Sequence, residues 1–218
     1  MKSKKYVYLG IIGAAIAAVI IAITQFNIIP AVDQNNQQSD QVAFLDFSYD
    51  EENSDIRSAL ATHHINMTKP IQLSTQADVR QYCNFLTDPK KQALVTYYTS
   101  TELKDNQGFL GDISMLGSTD LPGIVVVAMQ SNPMLTNYDD VKTVFGVVVN
   151  STMCQCWDKE VPNGYLTLSA LVDKLRDTHL TTKDPTTSTQ VLSLGNKHFK
   201  IELTTNDSGY LWKLLVSK

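Results

Sequence analysis

The sequence lacks the common motifs of catalytic and nucleotide-binding sites. It contains no G-x-S-x-G, no H-E-x-x-H, no phosphate-binding loop and no G-x-G-x-x-G after a predicted strand. Adjacent carboxylates such as Asp139 and Asp140 are typical of solvated turns, whereas a glycosidase pair requires carboxylates on different elements facing one cleft. The sequence therefore favours a non-enzymatic role in binding or in cell-envelope assembly.

Basic residues are also scarce beyond the first five positions. Three of the 18 Lys and Arg residues are Lys2, Lys4 and Lys5, and the remaining 15 stand against 22 Asp and Glu, a net charge of −7. Nucleic-acid binding requires a concentrated basic surface. The charge balance therefore argues against a nucleic-acid partner and against a domain that lies on anionic lipid.

Charged residues and proline are absent from residues 6–23, which form an uninterrupted apolar run. A helix of this length spans roughly 27 Å, close to the hydrocarbon thickness of a bilayer. After Thr24 and Gln25 the run continues to Ile29. We predict a transmembrane signal anchor over residues 6–29, with the lipid bilayer as its partner.

The basic residues predict the orientation of this anchor. Residues 1–5 carry three lysines, and the next basic residue after them is Arg57, so the N-terminus is expected in the cytoplasm and the rest of the chain outside. The alternative is a cleaved secretory signal, but its apolar segment normally has about 7–15 residues. Both interpretations export the rest of the chain.

The remaining chain divides into a stalk and one domain. Residues 30–41 are mainly polar and predict a short flexible stalk. Residues 42–218 are long enough for one domain with its own core, and no internal repeat or second linker divides them. We predict an α+β domain with a mixed β-sheet, about three helices and a C-terminal antiparallel three-stranded meander.

Hydrophobic periodicity and turn residues place the individual elements. Helices are expected near residues 55–64, 75–88 and 168–180, with a short helix near residues 139–143, and a glycine-rich irregular excursion is expected over residues 105–123. Strands are expected over residues 42–49, 93–98, 124–129 and 144–149, followed by meander strands at residues 190–194, 198–204 and 210–216.

Cysteine is rare, with only Cys83, Cys154 and Cys156 in the chain. An exported domain favours disulfides, so Cys83 is expected to pair with Cys154 or Cys156 and leave one free thiol. The alternatives are three reduced cysteines or a redox pair of Cys154 and Cys156. The segment Val-Val-Val-Asn before this pair resembles the start of a thioredoxin-like site, but that family has C-x-x-C where this chain has C-x-C.

The same segment also offers soft metal donors. The thiolates of Cys154 and Cys156 and the thioether of Met153 suit Cu(I), and His63 and His64 belong to a second donor-rich segment. The spacings match no zinc or blue-copper pattern. A membrane-tethered thiol-redox or copper-binding envelope protein is therefore the alternative hypothesis, with copper as its possible cofactor. The first hypothesis needs no cofactor and has an extracytoplasmic protein as its partner.

Three N-x-S/T sequons lie in the part of the chain that is predicted to be exported. They place candidate glycosylation sites at Asn66, Asn150 and Asn206. Chance occurrence is an equally good explanation in a chain rich in Ser, Thr and Asn.

Overall fold

The computed structural model describes residues 43–75, 77–79 and 95–218, which form an α+β fold. The strands are β1 (Asn66–Met67), β2 (Ile71–Leu73), β3 (Tyr97–Lys104), β4 (Phe109–Gly117), β5 (Pro122–Ser131), β6 (Thr186–Ser188), β7 (Leu192–Leu194), β8 (Lys197–Asn206) and β9 (Gly209–Ser217). The helices are α1 (Tyr49–Ala61), α2 (Tyr138–Thr152), α3 (Trp157–Glu160), a 3₁₀ helix (Pro162–Gly164) and α4 (Leu168–Thr182).

The nine strands form one sheet in which every described pairing is antiparallel. The strand order is β1-β3-β4-β5-β9-β8-β6. Two short strands, β1 and β2, pair with β3 at one edge, and two others, β6 and β7, pair with β8 at the opposite edge. The prediction of a mixed sheet is therefore wrong, and the described residues contain five helices rather than about three.

The segment expected to be irregular at residues 105–123 is instead largely strand β4 with its flanking turns. Some of its glycines allow close contact with a neighbouring backbone, and others form turns. Gly108 has φ of 139°, which favours glycine, and Asp105 N–H donates to its carbonyl at 3.0 Å. Strands β3, β4 and β5 consequently form a continuous antiparallel meander.

The apolar run at residues 144–149 forms part of helix α2 and not the predicted strand. The buried apolar residues in the middle of α2 recur at helical spacing and face the sheet and the neighbouring helices. They are Val141, Val144, Phe145, Val148 and Val149. Residues 43–48 likewise contain no strand, and Ser48 caps α1 by accepting a hydrogen bond from Glu51 N–H at 3.3 Å. Tertiary packing overrides the β preference of valine in α2.

Other predicted elements are confirmed. Helix α4 begins at Leu168, and its cap Thr167 accepts a hydrogen bond from Ala170 N–H at 3.1 Å. Strands β7, β8 and β9 form the predicted C-terminal meander. Helices α1, α2 and α4 cover one face of the sheet and enclose the main core, whose largest fully buried side chains include Trp212, Phe145 and Phe199.

The predicted anchor at 6–29, the stalk at 30–41 and Cys83 lie outside the described residues. So does most of the helix predicted from Thr75, although Asp78 N–H donates to Thr75 Oγ1 at 3.2 Å, as that cap requires. Among the helices of the described ranges, none is both long enough and apolar enough to cross a bilayer.

Replacing Gly111 with alanine is expected to destabilise the sheet by about 1–3 kcal/mol, because an added Cβ overpacks it. That Cβ would lie 2.1 Å from the carbonyl oxygen of Ala128 and 2.9 Å from Cα of Met129, both backbone atoms of β5. The matched control is Gly146→Ala in α2, where the added Cβ meets nothing within 4 Å. The control should gain about 0.5–1 kcal/mol. Urea unfolding of both variants checks the opposite signs, and equal stabilities would contradict the described β4–β5 contact.

Candidate functional site

The residues Met153–Cys156, named here the C-x-C turn, connect helices α2 and α3. Helix α2 ends where Met153 N–H donates to the carbonyl of Val149 at 3.0 Å. The sulfur atoms of Cys154 and Cys156 lie within disulfide-bonding distance, and their Cα atoms are 5.1 Å apart, within the usual range. The structure thus pairs these two cysteines with each other.

Glu160 completes this site and was missed in the sequence analysis. Its Oε1 lies 3.5 Å from Cys156 Sγ, and its Oε2 accepts a hydrogen bond from Gly195 N–H at 2.8 Å. Both sulfurs and a carboxylate oxygen lie within 4.8 Å of one another. The available sequence signal was the spacing of four between Cys156 and Glu160, which places two residues on one side of a helical turn.

The hairpin turn between β7 and β8 supports the C-x-C turn. Gly195 there has φ of 65°, and a Cβ on it would lie 3.4 Å from Cys154 Sγ. The hairpin's Lys197 is buried and donates through Nζ to the carbonyl of Thr152, the last residue of α2, at 2.7 Å. This hairpin therefore holds both ends of the site. The Gly195 backbone binds Glu160, and the Lys197 side chain binds Thr152.

Lys197 is itself held by an ion pair. Its Nζ lies 2.5 Å from Asp46 Oδ1 and 5.3 Å from the centroid of the Phe47 ring. The hydrogen bond from Lys197 is the main reason that the pKa of Asp46 lies below its ordinary value. A charged hydrogen bond at the end of α2 also satisfies a carbonyl that the helix leaves without an internal partner.

The cysteines lie between the main core and the protein surface. Both are half-buried, Gln155 between them is exposed, and Glu160 is exposed. Trp157, the next residue, packs against the main core and donates through Nε1 to the carbonyl of Tyr165 at 2.9 Å. The two cysteines therefore pack against the main core while the residue between them and Glu160 are exposed.

The other predicted metal donors occupy different environments. Met153 is 9% exposed and belongs to the main hydrophobic core. His63 and His64 are exposed at the end of α1. Among the described residues, Cys154, Cys156 and Glu160 are the one group of three or more His, Cys, Asp or Glu side chains close enough to share a metal ion.

The three candidate glycosylation sites all lie at the surface. Asn66 is exposed in β1, Asn150 near the end of α2, and Asn206 at the end of β8. Asn206 already donates through Nδ2 to Gln130 Oε1 at 2.9 Å. Glycosylation of these residues stays a prediction.

A second polar feature lies on the sheet face opposite α1, α2 and α4. The β-pairing places five residues in register across five strands, and we call them the charged row: Glu102, Asp112, Ala128, Lys213 and Glu202. Lys213 is 0% exposed and its Nζ lies 3.2 Å from Glu202 Oε1. Charged side chains are rarely buried unless they are paired, so this row is unusual for a sheet.

Asp112 lies in a hydrogen-bonded serine cluster beside the charged row. Ser114 Oγ donates to Asp112 Oδ2 at 3.3 Å and contacts Ser100 Oγ at 3.2 Å and Tyr98 Oη at 3.0 Å. Burial raises the pKa of Asp112 to about 7, and the nearby charge of Glu102 adds to the increase. This cluster was missed because residues 105–123 were expected to be irregular.

Comparison with protein-family models, curated proteins and solved structures found no match to the chain. The function is therefore inferred from the geometry of its own residues.

Proposed function

We propose that this chain is a membrane-anchored extracytoplasmic thiol–disulfide protein whose working element is the Cys154–Cys156 pair. The observation that supports the proposal is the disulfide-distance pairing of two half-buried cysteines that are separated by one residue. Both cysteines are half-buried rather than enclosed, and Gln155 between them is exposed, so the proposal requires a partner's thiol to approach from the side of Gln155.

A purely stabilising role explains this pair poorly. Disulfides stabilise mainly by restricting the unfolded chain, and closing a loop of three residues contributes only about 1.6 kcal/mol. The surrounding segment is already held by the Lys197 and Gly195 hydrogen bonds. A bond with so little structural effect at an accessible position is better suited to reversible chemistry.

The proposed reaction is exchange with an extracytoplasmic protein dithiol. A partner thiolate attacks one sulfur of the Cys154–Cys156 bond, forms a mixed disulfide and releases the other sulfur as a thiolate. The second partner thiolate then attacks the mixed disulfide. The partner leaves as a disulfide, and Cys154 and Cys156 keep the two electrons and two protons. Because each step is reversible, the pair can also accept a bond from a more oxidising disulfide.

The proposed location agrees with this chemistry. Disulfides form and persist in oxidising compartments outside the cytoplasm. The predicted anchor at 6–29 and stalk at 30–41 would hold the domain at the extracytoplasmic surface of the membrane. The tether would keep the pair close to other envelope proteins.

Peptide mapping of the full-length chain tests the proposal. Trypsin is expected to release residues 143–159, which contain both Cys154 and Cys156, separately from the peptide that contains Cys83. Without reduction, the 143–159 peptide should be lighter by two hydrogen atoms and should not react with an alkylating agent. After a small dithiol is added to the folded protein, the same peptide should carry two alkyl groups, and removal of the dithiol should restore the bond.

Cys156→Ser is the matched control, because it leaves Cys154 with no neighbour to pair with in this turn. Its 143–159 peptide should take one alkyl group under both conditions. A cross-linked peptide joining Cys83 to either cysteine would contradict the proposal. So would a native pair that a dithiol reduces only when the protein is unfolded.

A further inference from the structure

We infer that the reduced C-x-C turn is a binding site for one Zn²⁺ ion, held by Cys154 Sγ, Cys156 Sγ and a carboxylate oxygen of Glu160. This inference rests on the proposed function, because the site requires the pair to be reducible. It adds a ligand and a third protein donor to the thiol pair.

The three donor atoms already lie close together. All lie within 4.8 Å of one another, on a short segment that two independent contacts hold in place. Bonds of about 2.3 Å from zinc to each sulfur require the two sulfurs to be about 3.8 Å apart in a tetrahedral site. Reduction removes the covalent bond that keeps the two sulfurs closer together than this.

The donor set favours zinc over Cu(I). Cu(I) prefers soft thiolate and thioether ligands, and the nearby thioether of Met153 is buried in the core. A carboxylate oxygen is a hard donor that zinc accepts readily alongside thiolates. Three protein ligands would leave one coordination position open to water or to a partner's side chain.

Glu160 is oriented before any metal binds. Its Oε2 accepts from Gly195 N–H, so Oε1 is directed toward the sulfurs, at 3.5 Å from Cys156 Sγ. A hydrogen bond to the second oxygen of a ligating carboxylate is a common means of orienting metal ligands. The hairpin turn thus positions the third donor.

The oxidation state of the pair would control metal binding. Zinc binding converts two thiols to thiolates and releases two protons. Exchange with a partner disulfide forms the Cys154–Cys156 bond, reduces the partner to a dithiol and removes two of the three zinc ligands. Oxidation therefore ejects the ion, and the extracytoplasmic dithiol–disulfide balance determines how much zinc the domain holds.

The experiment measures metal uptake by the full-length chain in its reduced and oxidised forms, after free thiols have been counted. Reduced protein should bind one Zn²⁺, and Co²⁺ in its place should give the absorption bands of a tetrahedral thiolate site. Oxidised protein should bind none. Glu160→Gln keeps an oxygen for Gly195 N–H but removes the charge, and it should weaken binding at least about tenfold. Asp158→Asn, an exposed neighbour in α3, is the matched control and should bind as the wild type does.

Four outcomes would overturn the inference or one of its parts. Reduced protein with all thiols counted and no bound Zn²⁺ refutes the metal site while the proposed redox function stands. Equal affinity in wild type and Glu160→Gln refutes the role of the carboxylate, and uptake of Cu(I) without Zn²⁺ refutes the choice of ion. A pair that cannot be reduced in the folded chain overturns the proposed function and the metal site together. Cys83→Ser, tested in parallel, excludes the third thiol as the binding group if its uptake is unchanged.

Discussion

Replacing Lys213 with methionine is expected to lower the free energy of unfolding by about 3–5 kcal/mol, the usual result of removing one partner of a buried ion pair. Lys213 is 0% exposed, and its Nζ lies 3.2 Å from Glu202 Oε1 on the neighbouring strand. Burial lowers the pKa of Lys213, and the charge of Glu202 opposes this shift. Without the ammonium group, Glu202 must remain charged in an apolar setting or take up a proton, and both responses cost stability.

The double variant Lys213→Met with Glu202→Leu separates the lost pair from lost packing. Two apolar side chains of similar volume often replace a buried pair at little cost, so the double variant should recover most of the loss. The surface pair Lys104–Glu102 is the control: its N–O distance is shorter, 2.6 Å, but its side chains are 46% and 30% exposed. Lys104→Met should cost less than about 1 kcal/mol. Similar losses for Lys213→Met and Lys104→Met in urea unfolding would show that burial does not govern this pair.

Asp112→Asn is expected to remove part of the pH dependence of stability between about pH 4 and pH 7. The pKa of Asp112 is raised from 3.8 to about 7 in the folded chain, so the folded state binds this proton more tightly than the unfolded state. The free energy of unfolding therefore falls as pH rises through this window, by up to about 4 kcal/mol from this group. Asparagine keeps an oxygen for Ser114 and carries no charge, so the variant should be the more stable protein at pH 8.

The measurement is urea unfolding at several pH values from 4.5 to 8, approximately the range over which the group titrates. Asp120→Asn, at an exposed position in the turn before β5, is the control and should retain the wild-type pH dependence. The variant keeps some slope, because burial also raises the pKa of Glu52 in α1. If wild type and Asp112→Asn lose stability in parallel from pH 4.5 to 8, the Asp112 carboxyl group is ionised in the folded and in the unfolded chain. Solvent would then reach this group in the folded chain.

The elements predictable from the sequence are those in which local signals and packing agree. Helix α4 has a threonine cap and an apolar stripe that faces the core, so its start is predicted to the residue. The β7–β8–β9 meander has turn residues between alternating strands. In both cases the pattern of side chains and the final burial carry the same information.

The wrong predictions involve residues whose role depends on distant contacts. The valines at 144–149 have β-branched side chains, yet they pack in α2 because α1 and α4 supply complementary apolar surfaces. Asp112 and Lys213 join one row only through strand register, which brings together positions about a hundred residues apart. Glu160 reaches the cysteines because a hairpin 35 positions further along the chain orients it. Apart from the spacing of four between Cys156 and Glu160, no local pattern contains such information.

The paired short strands at the two edges of the sheet bear on self-association. A long free edge offers a row of unpaired backbone groups on which another copy can add a strand and begin a fibril. Here the outward side of β3 is occupied by two pieces of two and three residues, and that of β8 by two pieces of three residues. Among the described strands, an approaching chain therefore meets only interrupted runs at these edges, too short to template a continuous ladder. The same interruption would keep closely spaced copies of the chain from polymerising edge to edge.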